Sequence, residues 1–397
     1  MQLTYLKIKK KMAVYKIYPT KDATIYSEYP EMNTGLDQIL EASTYLKNSK
    51  GQTSRYLIKF SQTEINNLFD TYVTSSTIAK RNYKINLRNY AALVTGLNKN
   101  TTLEIYPISQ SWDLGTGKFR TEPITENGVS WVFTNSSGSN KWITGALNAR
   151  TTASYNTNVG GIGGCTWFTG SASGNNVEQT QVLSYSDPID INVDVTSTVK
   201  VWISQSKSIT GGDIPNEGFL IKQTSSVEFV NSQSAETTLR YYSIDTHTIY
   251  PPHLDFKFDD YSFNTGSSTN TILTDAEAFI SIFNNQNTYF TQSIERFRIA
   301  AIPKYPTRTF STSSIYTTNF YLPTASFYAI KDSETNEYVI DFDSTYTKIS
   351  ADDKSSYFDI YMNGLEPERY YTVLIKSQLD GTTQVFDENI NFKVING

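Results

Sequence analysis

The sequence predicts an all-β protein, a larger β-sandwich followed by a smaller one, and three observations carry that reading. The first is composition: 14% of the 397 residues are aromatic, with 28 Tyr and 21 Phe against 4 Met, amid abundant Ser, Thr and Asn. Such a mixture suits half-buried pleated surfaces better than helices. The second is a recurrence of short β-branched and aromatic runs separated by turn residues. The third is a second series of such runs beyond Asp259 to Thr274, a polar stretch that reads as a domain boundary. A chain of this length exceeds one ordinary core, and about two or three domains are expected.

Charge and cysteine content narrow the classes of function. Charged residues make up 18% of the chain and the net charge of -5 is spread along it. There is no basic stripe of the kind that binds nucleic acid. Cys165 is the sole cysteine, which rules out an intrachain disulfide and a thiolate metal cage. No apolar run is long enough to span a membrane as a helix. Residues 1–11 alternate apolar residues with Lys7, Lys9, Lys10 and Lys11, without the continuous apolar stretch of a signal peptide. They read as an N-terminal extension or as a mis-called start before Met12, and the chain as one made in a cytoplasm and not exported by the standard route.

Strand patterns begin at Ala13 to Tyr18 and continue at Ala23 to Ser27, Ile39 to Ser43 and Tyr56 to Phe60, with breaks at Pro19, Pro30, Asn33 to Gly35 and Gly51. Ser61 and Glu64 have capping-box spacing before Ile65 and Leu68, which predicts a short helix. Leu103, Ile105 and Pro107 mark the next strand, ending in a turn at Trp112 to Gly117. Residues 117–188 hold many glycines, together with Trp131, Trp142 and Trp167, and read as a loop-rich insertion ordered by packing. Val195, Val199 and Trp202, at i, i+4, i+7, predict a helix covering an open end of the sheet. Gly218 to Lys222, Val227 to Val230, Leu239 to Ser243 and Leu254 to Phe258 add strands. These boundaries divide the chain into the extension (1–11), a first domain (12–259) and a linker (260–295) with a short helix over Asp275 to Phe283, capped by Thr274. A second domain (296–397) follows.

In that second domain, strands are expected at Phe297 to Ile302, Ser326 to Ile330, Tyr338 to Phe342, Tyr357 to Met362, Tyr371 to Ser377 and Asn391 to Ile395, a spacing that suits a sandwich of about 100 residues. The run from Leu365 to Tyr371, followed by Val373 and Ile375, resembles the corner before strand F of fibronectin type III domains. There a tyrosine hydroxyl bonds to an upstream backbone group, a structural role that falls here to Tyr371. The smaller sandwich is accordingly expected to be immunoglobulin- or fibronectin III-like.

The first 259 residues resemble the DNRLRE-type domain, a jelly-roll-like sandwich related to carbohydrate-binding modules. Four stretches carry the resemblance in order: DATIYSEYPEMNTG from Asp22, RYLIKF from Arg55, LEIYPISQSWDLGTG from Leu103, and DVTSTVKVWI with NEGFLIK from Asp194 and Asn216. The name-giving motif is missing from SAETTLRYYSIDTHTIYPPHLDF. Over nearly its whole length the chain also resembles virion structural proteins of contractile-tailed phages of marine bacteria, through SWDLGTGKF, THTIYPPHLDFKFDDY, KYPTRTFSTSS, YTKIS and YMNGLEPERYY. What this implies is membership of a particle, whether at head, neck, tail or baseplate, with other virion proteins and further copies of the chain as partners.

Chemistry-bearing residues are sparse. His247 and His253 are the only histidines, and Pro251 and Pro252 between them break the ladder that could align them, so a surface or loop role is expected of both. The adjacent pairs Asp259–Asp260 and Asp352–Asp353 send their side chains to opposite faces in a strand and read as solvated turns. Loop carboxylates, Asp187 or Asp190 among them, leave calcium open, although no EF-hand spacing occurs; no other cofactor is implied. The run Gly160 to Gly164 lacks the Lys-Ser/Thr of a phosphate loop. Trp112 and Trp202, within the family's recurring stretches, are assigned to the core. Trp131, Trp142 and Trp167 are candidates for an interface with neighbouring proteins, the alternative being that the insertion folds back over its own sandwich. The reading is of a non-enzymatic virion protein acting through protein–protein contacts. A glycan-binding adhesin or host-recognition protein is the alternative, and an accessory module of a polysaccharide-degrading enzyme is a more distant one.

Overall fold

Strand accounts for 47% of the chain and helix for 8%, and among the described residues the sheets stack as sandwiches and form no barrel. The computed structural model describes residues 14–397 except 74–80, 98–100, 138, 144–150, 157–160, 173, 185, 187, 210–213, 231–235, 267, 269 and 307–319, with backbone alone for 151–156 and 161–162. The extension 1–11, Asp187 and Gly160 therefore lie outside the described residues. The chain forms two compact units: Ile17–Thr71 with Lys84–Asp255, and Phe256–Gly397 with the short segments that end at Lys16 and Tyr83.

At the centre of the larger unit is a six-stranded antiparallel sheet. Its order is Gln179–Leu183, Thr101–Pro107, Phe219–Gln223, Lys50–Phe60 and Pro19–Tyr26, with Thr44–Lys47 also pairing with Lys50–Phe60. Register puts Tyr56, Ile58, Phe219 and Ile221 toward a second layer. That layer comprises Ile39–Glu41, Thr238–Tyr242 and Ala91–Thr95 in one sheet, and Tyr83–Asn89 paired with Ile191–Asp194. Between the layers, the rings of Tyr56 and Tyr241 lie 6.0 Å apart.

The two α-helices described in this unit form where the sequence places them. In Gln62–Leu68, Ser61 Oγ accepts the Glu64 N–H, supplying one of the bonds that the first turn lacks, and Ile65 and Leu68 are buried. Thr196–Ser206 buries Val199 and Trp202, the latter with its ring 4.6 Å from Phe219 at the end of the central sheet. Two expectations are corrected. Gln179–Leu183, assigned to the insertion, is an edge strand of the central sheet, its partner Thr101–Pro107 supplying the ladder. Val227 to Val230 is a turn, closed by the Val227 and Glu228 N–H groups donating to the Thr224 carbonyl, which brings Glu228 over the sheet.

The C-terminal unit is a sandwich of two sheets. One has the order Ala278–Ile282, Ile294–Pro303, Ser356–Tyr361, Ser350–Ala351; the other Thr288–Phe290, Thr382–Ile395, Tyr370–Leu379, Ser326–Asp332, Tyr338–Ile340. Pairing is antiparallel except between Thr288–Phe290 and Thr382–Ile395, which run parallel. Aromatic rings fill the space between: Phe358 stacks on Phe297 at 5.5 Å and on Tyr328 at 4.4 Å, and Phe392 packs beside Phe297. The helix expected over Asp275 to Phe283 is a strand. Ile280 is in the core with Ala278 and Ile282 packed beside it, a period of two that puts Phe279 and Ser281 on the other face. β-Branched residues at alternate positions outweighed the helix-start signal at Thr274. The stretch read as a linker thus contributes strands to both sheets of this unit.

Two polar devices hold the C-terminal unit's loops. The Tyr371 hydroxyl donates to the Glu366 carbonyl at 2.8 Å, closing the corner before its strand. Asp352 is not a solvated turn residue: it takes two bonds from Arg298, at 3.0 and 2.8 Å, and accepts the Lys354 and Ser355 N–H groups. Burial pushes its carboxyl up, but Arg298 and those N–H groups outweigh it and bring the group down to about 2. A carboxylate lowered on folding stabilises above its unfolded value, about 4, and that stabilisation is lost as pH falls through its folded value. The C-terminal unit's unfolding midpoint should therefore drop between about pH 4 and 2. Asp352→Asn should flatten part of that drop in acid denaturation followed by near-ultraviolet circular dichroism. Tyr371→Phe should lower the stability of the same unit by about 1 kcal/mol with an unchanged denaturant slope in urea titration.

Candidate interaction surface

Lys50–Phe60 is buried at nearly every position, and Phe219–Gln223 at all five, so the central sheet of the larger unit is covered on both faces. The second cover is the Trp-rich insertion. Trp131, Trp142 and Trp167, expected as interface candidates, are only 2%, 1% and 6% exposed. They pack with Ala23, Ile25, Leu57 and Leu220 of the sheet and with Trp112. A residue buried in its own unit cannot anchor a neighbour, so these three belong to the core. The physical reason is the outward apolar set of Ala23, Ile25, Leu57 and Leu220, which needs a cover that the second layer, on the opposite face, cannot give.

Arg55 is the hub of this cover. Its Nε and Nη2 make a two-point ion pair with Glu228 at 2.8 and 2.7 Å, and Nη1 donates to the Gly164 carbonyl at 2.6 Å. Its guanidinium carbon lies 5.0 Å from the ring centre of Trp131 and 5.5 Å from that of Trp167. Lys222, buried beside it, bridges Glu104 at 2.8 Å and Glu228 at 3.3 Å. Gly164 is the glycine of the run that this contact requires. At φ +81°, a Cβ there would stand 2.6 Å from the Trp131 ring and 2.9 Å from Arg55 Nη1, so only glycine lets the Gly161–Phe168 strand reach the guanidinium. Asn33, in the NTG turn, staples the start of the insertion: its Nδ2 donates to the Leu114 and Val129 carbonyls, and its Oδ1 accepts from Gly35 and Gly117.

The remaining singled-out residues do not converge. Trp112 is buried beneath Lys21, and Trp202 under its helix. A polar cleft of about 370 Å³ is lined by Gln110, Trp112, Asp113, Asn135, Asn140 and Lys141. Since Trp112 is 1% exposed, it offers no ring face there for a sugar. His247 lies on an exposed turn, whereas His253, expected at the surface, is buried with Nδ1 3.1 Å from the Pro251 carbonyl and Nε2 3.3 Å from Asp255. Packing between the rings of Tyr18 and Tyr90 accounts for its burial. Asp190 caps the Ala91 N–H. Among the described residues, no group of three His, Cys, Asp or Glu side chains is placed to hold a metal.

Exposed aromatic rings are found in the C-terminal unit. Among the described residues, the exposed aromatic side chains are Phe279, Phe283, Phe290, Tyr305, Tyr338 and Tyr370, all in that unit. Phe279 and Phe283 are each 58% exposed; Phe279 pairs with Ile302 on the edge strand, and Phe283 stands in the turn just beyond it, its N–H donating to the Arg298 carbonyl. A helix over Asp275 to Phe283 gives no reason to single out either residue; alternation of Ala278, Ile280 and Ile282 is the signal in the sequence that points to Phe279.

No family model matches the chain, and no curated protein does. Among solved structures it is similar to the adhesin domain of Epf from Streptococcus pyogenes, at 9% identity over 97% of this chain and 80% of that one, with a TM-score of 0.17. A likeness of that depth carries neither fold nor function across.

The Arg55 hub yields a direct test. Arg55→Met leaves Glu228 buried with Lys222 and a long bond from the Thr53 hydroxyl, and should destabilise the larger unit by about 3–5 kcal/mol, as expected when one partner of a buried pair is removed. Thermal and urea unfolding of the full chain, followed by tryptophan fluorescence, should show the loss in the transition that reports Trp131 and Trp167. A change below about 1 kcal/mol would mean that the pair is not what fastens the insertion.

Proposed function

We propose that the chain is a non-enzymatic structural component of a tailed-phage virion, and that it is held among its neighbours by protein–protein contacts of its C-terminal unit. The observation that carries the reading is the partition of aromatic side chains. The larger unit keeps its tryptophans inside, while the C-terminal unit places six aromatic residues at its surface. Aromatic residues are enriched where partners bury one another and are costly to leave in water. Phe279 and Ser281 also sit on a strand at the edge of its sheet, with Phe283 in the turn that follows, and an edge strand offers backbone groups as a second means of contact. The resemblance of both halves of the sequence to contractile-tail phage proteins supports the setting. In a particle each copy is fixed among several neighbours, and modest contacts add through multivalency.

A double substitution, Phe279→Ser with Phe283→Ser, tests this reading. Surface positions of this kind change stability by about 0.5 kcal/mol or less, so the isolated protein should keep its unfolding midpoint. Incorporation into particles, measured by quantitative mass spectrometry of purified virions complemented with the variant, should fall roughly tenfold or more, the scale of losing one hot spot. Normal incorporation of a folded double variant would sink the assignment of this surface. Release of oligosaccharide from host polysaccharide by the intact chain would sink the non-enzymatic reading.

A further inference from the structure

Three polar side chains are buried around Tyr56 in the larger unit, and the hydrogen bonds of the four do not balance. Asp22, Tyr56, Asn89 and Tyr241 are each at most 1% exposed. Asn89 Nδ2 donates to the Tyr56 hydroxyl at 2.8 Å, so that oxygen has accepted a bond and still holds a proton to give. Asp22 Oδ2 accepts the Ile244 N–H at 2.8 Å. The other carboxylate oxygen, Asp22 Oδ1, together with Asn89 Oδ1 and the Tyr241 hydroxyl, has no hydrogen-bond partner. Tyr56 is the common neighbour: it bonds to Asn89, its ring is 6.0 Å from that of Tyr241, and its hydroxyl feels the charge of Asp22.

The unmet groups are two acceptors, Asp22 Oδ1 and Asn89 Oδ1, and two hydroxyl donors, on Tyr56 and Tyr241. A water molecule offers two protons and accepts two, so the sum closes with one. We propose that the core of the larger unit binds a single ordered water that donates to Asp22 Oδ1 and Asn89 Oδ1 and accepts from Tyr56 and Tyr241. Buried waters make about three bonds to groups that otherwise lack partners, and a site with two to four polar neighbours is what holds one. The alternative leaves three buried polar atoms without any partner, the costly arrangement for groups taken out of water. Asp22 gains most. Burial pushes its carboxyl up, the Ile244 N–H opposes this and Asp245 adds to it, and the group stands at about 7, short of donors. The water is the missing donor, and it lets a carboxylate stay in the core to hold the turn at Ile244.

A crystal structure of the full chain that resolves ordered solvent tests the site directly. The expected result is a solvent peak about 2.6–3.2 Å from at least three of the four named oxygens. An unoccupied space, or direct contact of Tyr56 or Tyr241 with Asp22 Oδ1, overturns the proposal. Solution measurement gives an independent reading. Oxygen-17 relaxation dispersion should report one fewer long-lived water in the double variant Asp22→Leu, Asn89→Leu than in the unaltered chain. An equal number in a folded variant would overturn it. If that variant does not fold, Tyr241→Phe removes one donor and should shorten the residence time, and an unchanged residence time counts against the site.

Discussion

A guanidinium in the middle of a β-sheet cannot be left without partners, and the architecture of the larger unit follows from how Arg55 finds them. Its donors reach Glu228 on a turn and the Gly164 carbonyl on the insertion, and its flat faces meet two indoles. A buried pair of this kind contributes little net stability compared with apolar residues of the same size, because desolvation offsets the attraction. Its value lies in specificity. Apolar contacts would let the insertion settle on the sheet in several ways, whereas a two-point ion pair and a backbone acceptor admit one.

That constraint explains what could be read from the sequence and what could not. Period-two alternation at Leu103, Ile105 and Pro107 and helical spacing at Val195, Val199 and Trp202 are local signals, and local structure follows them. The corner at Leu365 to Tyr371 was legible because a hydroxyl five residues from its acceptor is a short-range device. The destination of Trp131, Trp142 and Trp167 was not, since it depends on Arg55, Leu57 and Leu220, far away in sequence. In RYLIKF, Tyr56, Ile58 and Phe60 alternate onto one face, and the opposite face, with Arg55 and Leu57, is equally buried. A charge within an apolar strand was the clue to a covered second face.

The two units use aromatic residues in opposite ways. In the larger one, tryptophans serve as a lid over a sheet that would otherwise be wet on one side, at the expense of a long, glycine-rich path. In the C-terminal one, the core is closed by a compact stack around Phe297, Phe358 and Phe392, and further aromatics remain at the surface. Composition alone cannot distinguish these uses, because both draw on the same residues. The distinction arises from sheet topology, which decides whether a face has a cover within its own unit.

The strand Thr382–Ile395 has a mechanical consequence. It is paired on one side with Tyr370–Leu379 and on the other with the parallel strand Thr288–Phe290. Bonds of a ladder lie across the strand, so tension drawn along it loads many rungs at once in shear, while a strand peeled from its end gives them up one by one. Held between two neighbours, this strand is a shear clamp, and a pull transmitted along it is borne by both ladders together.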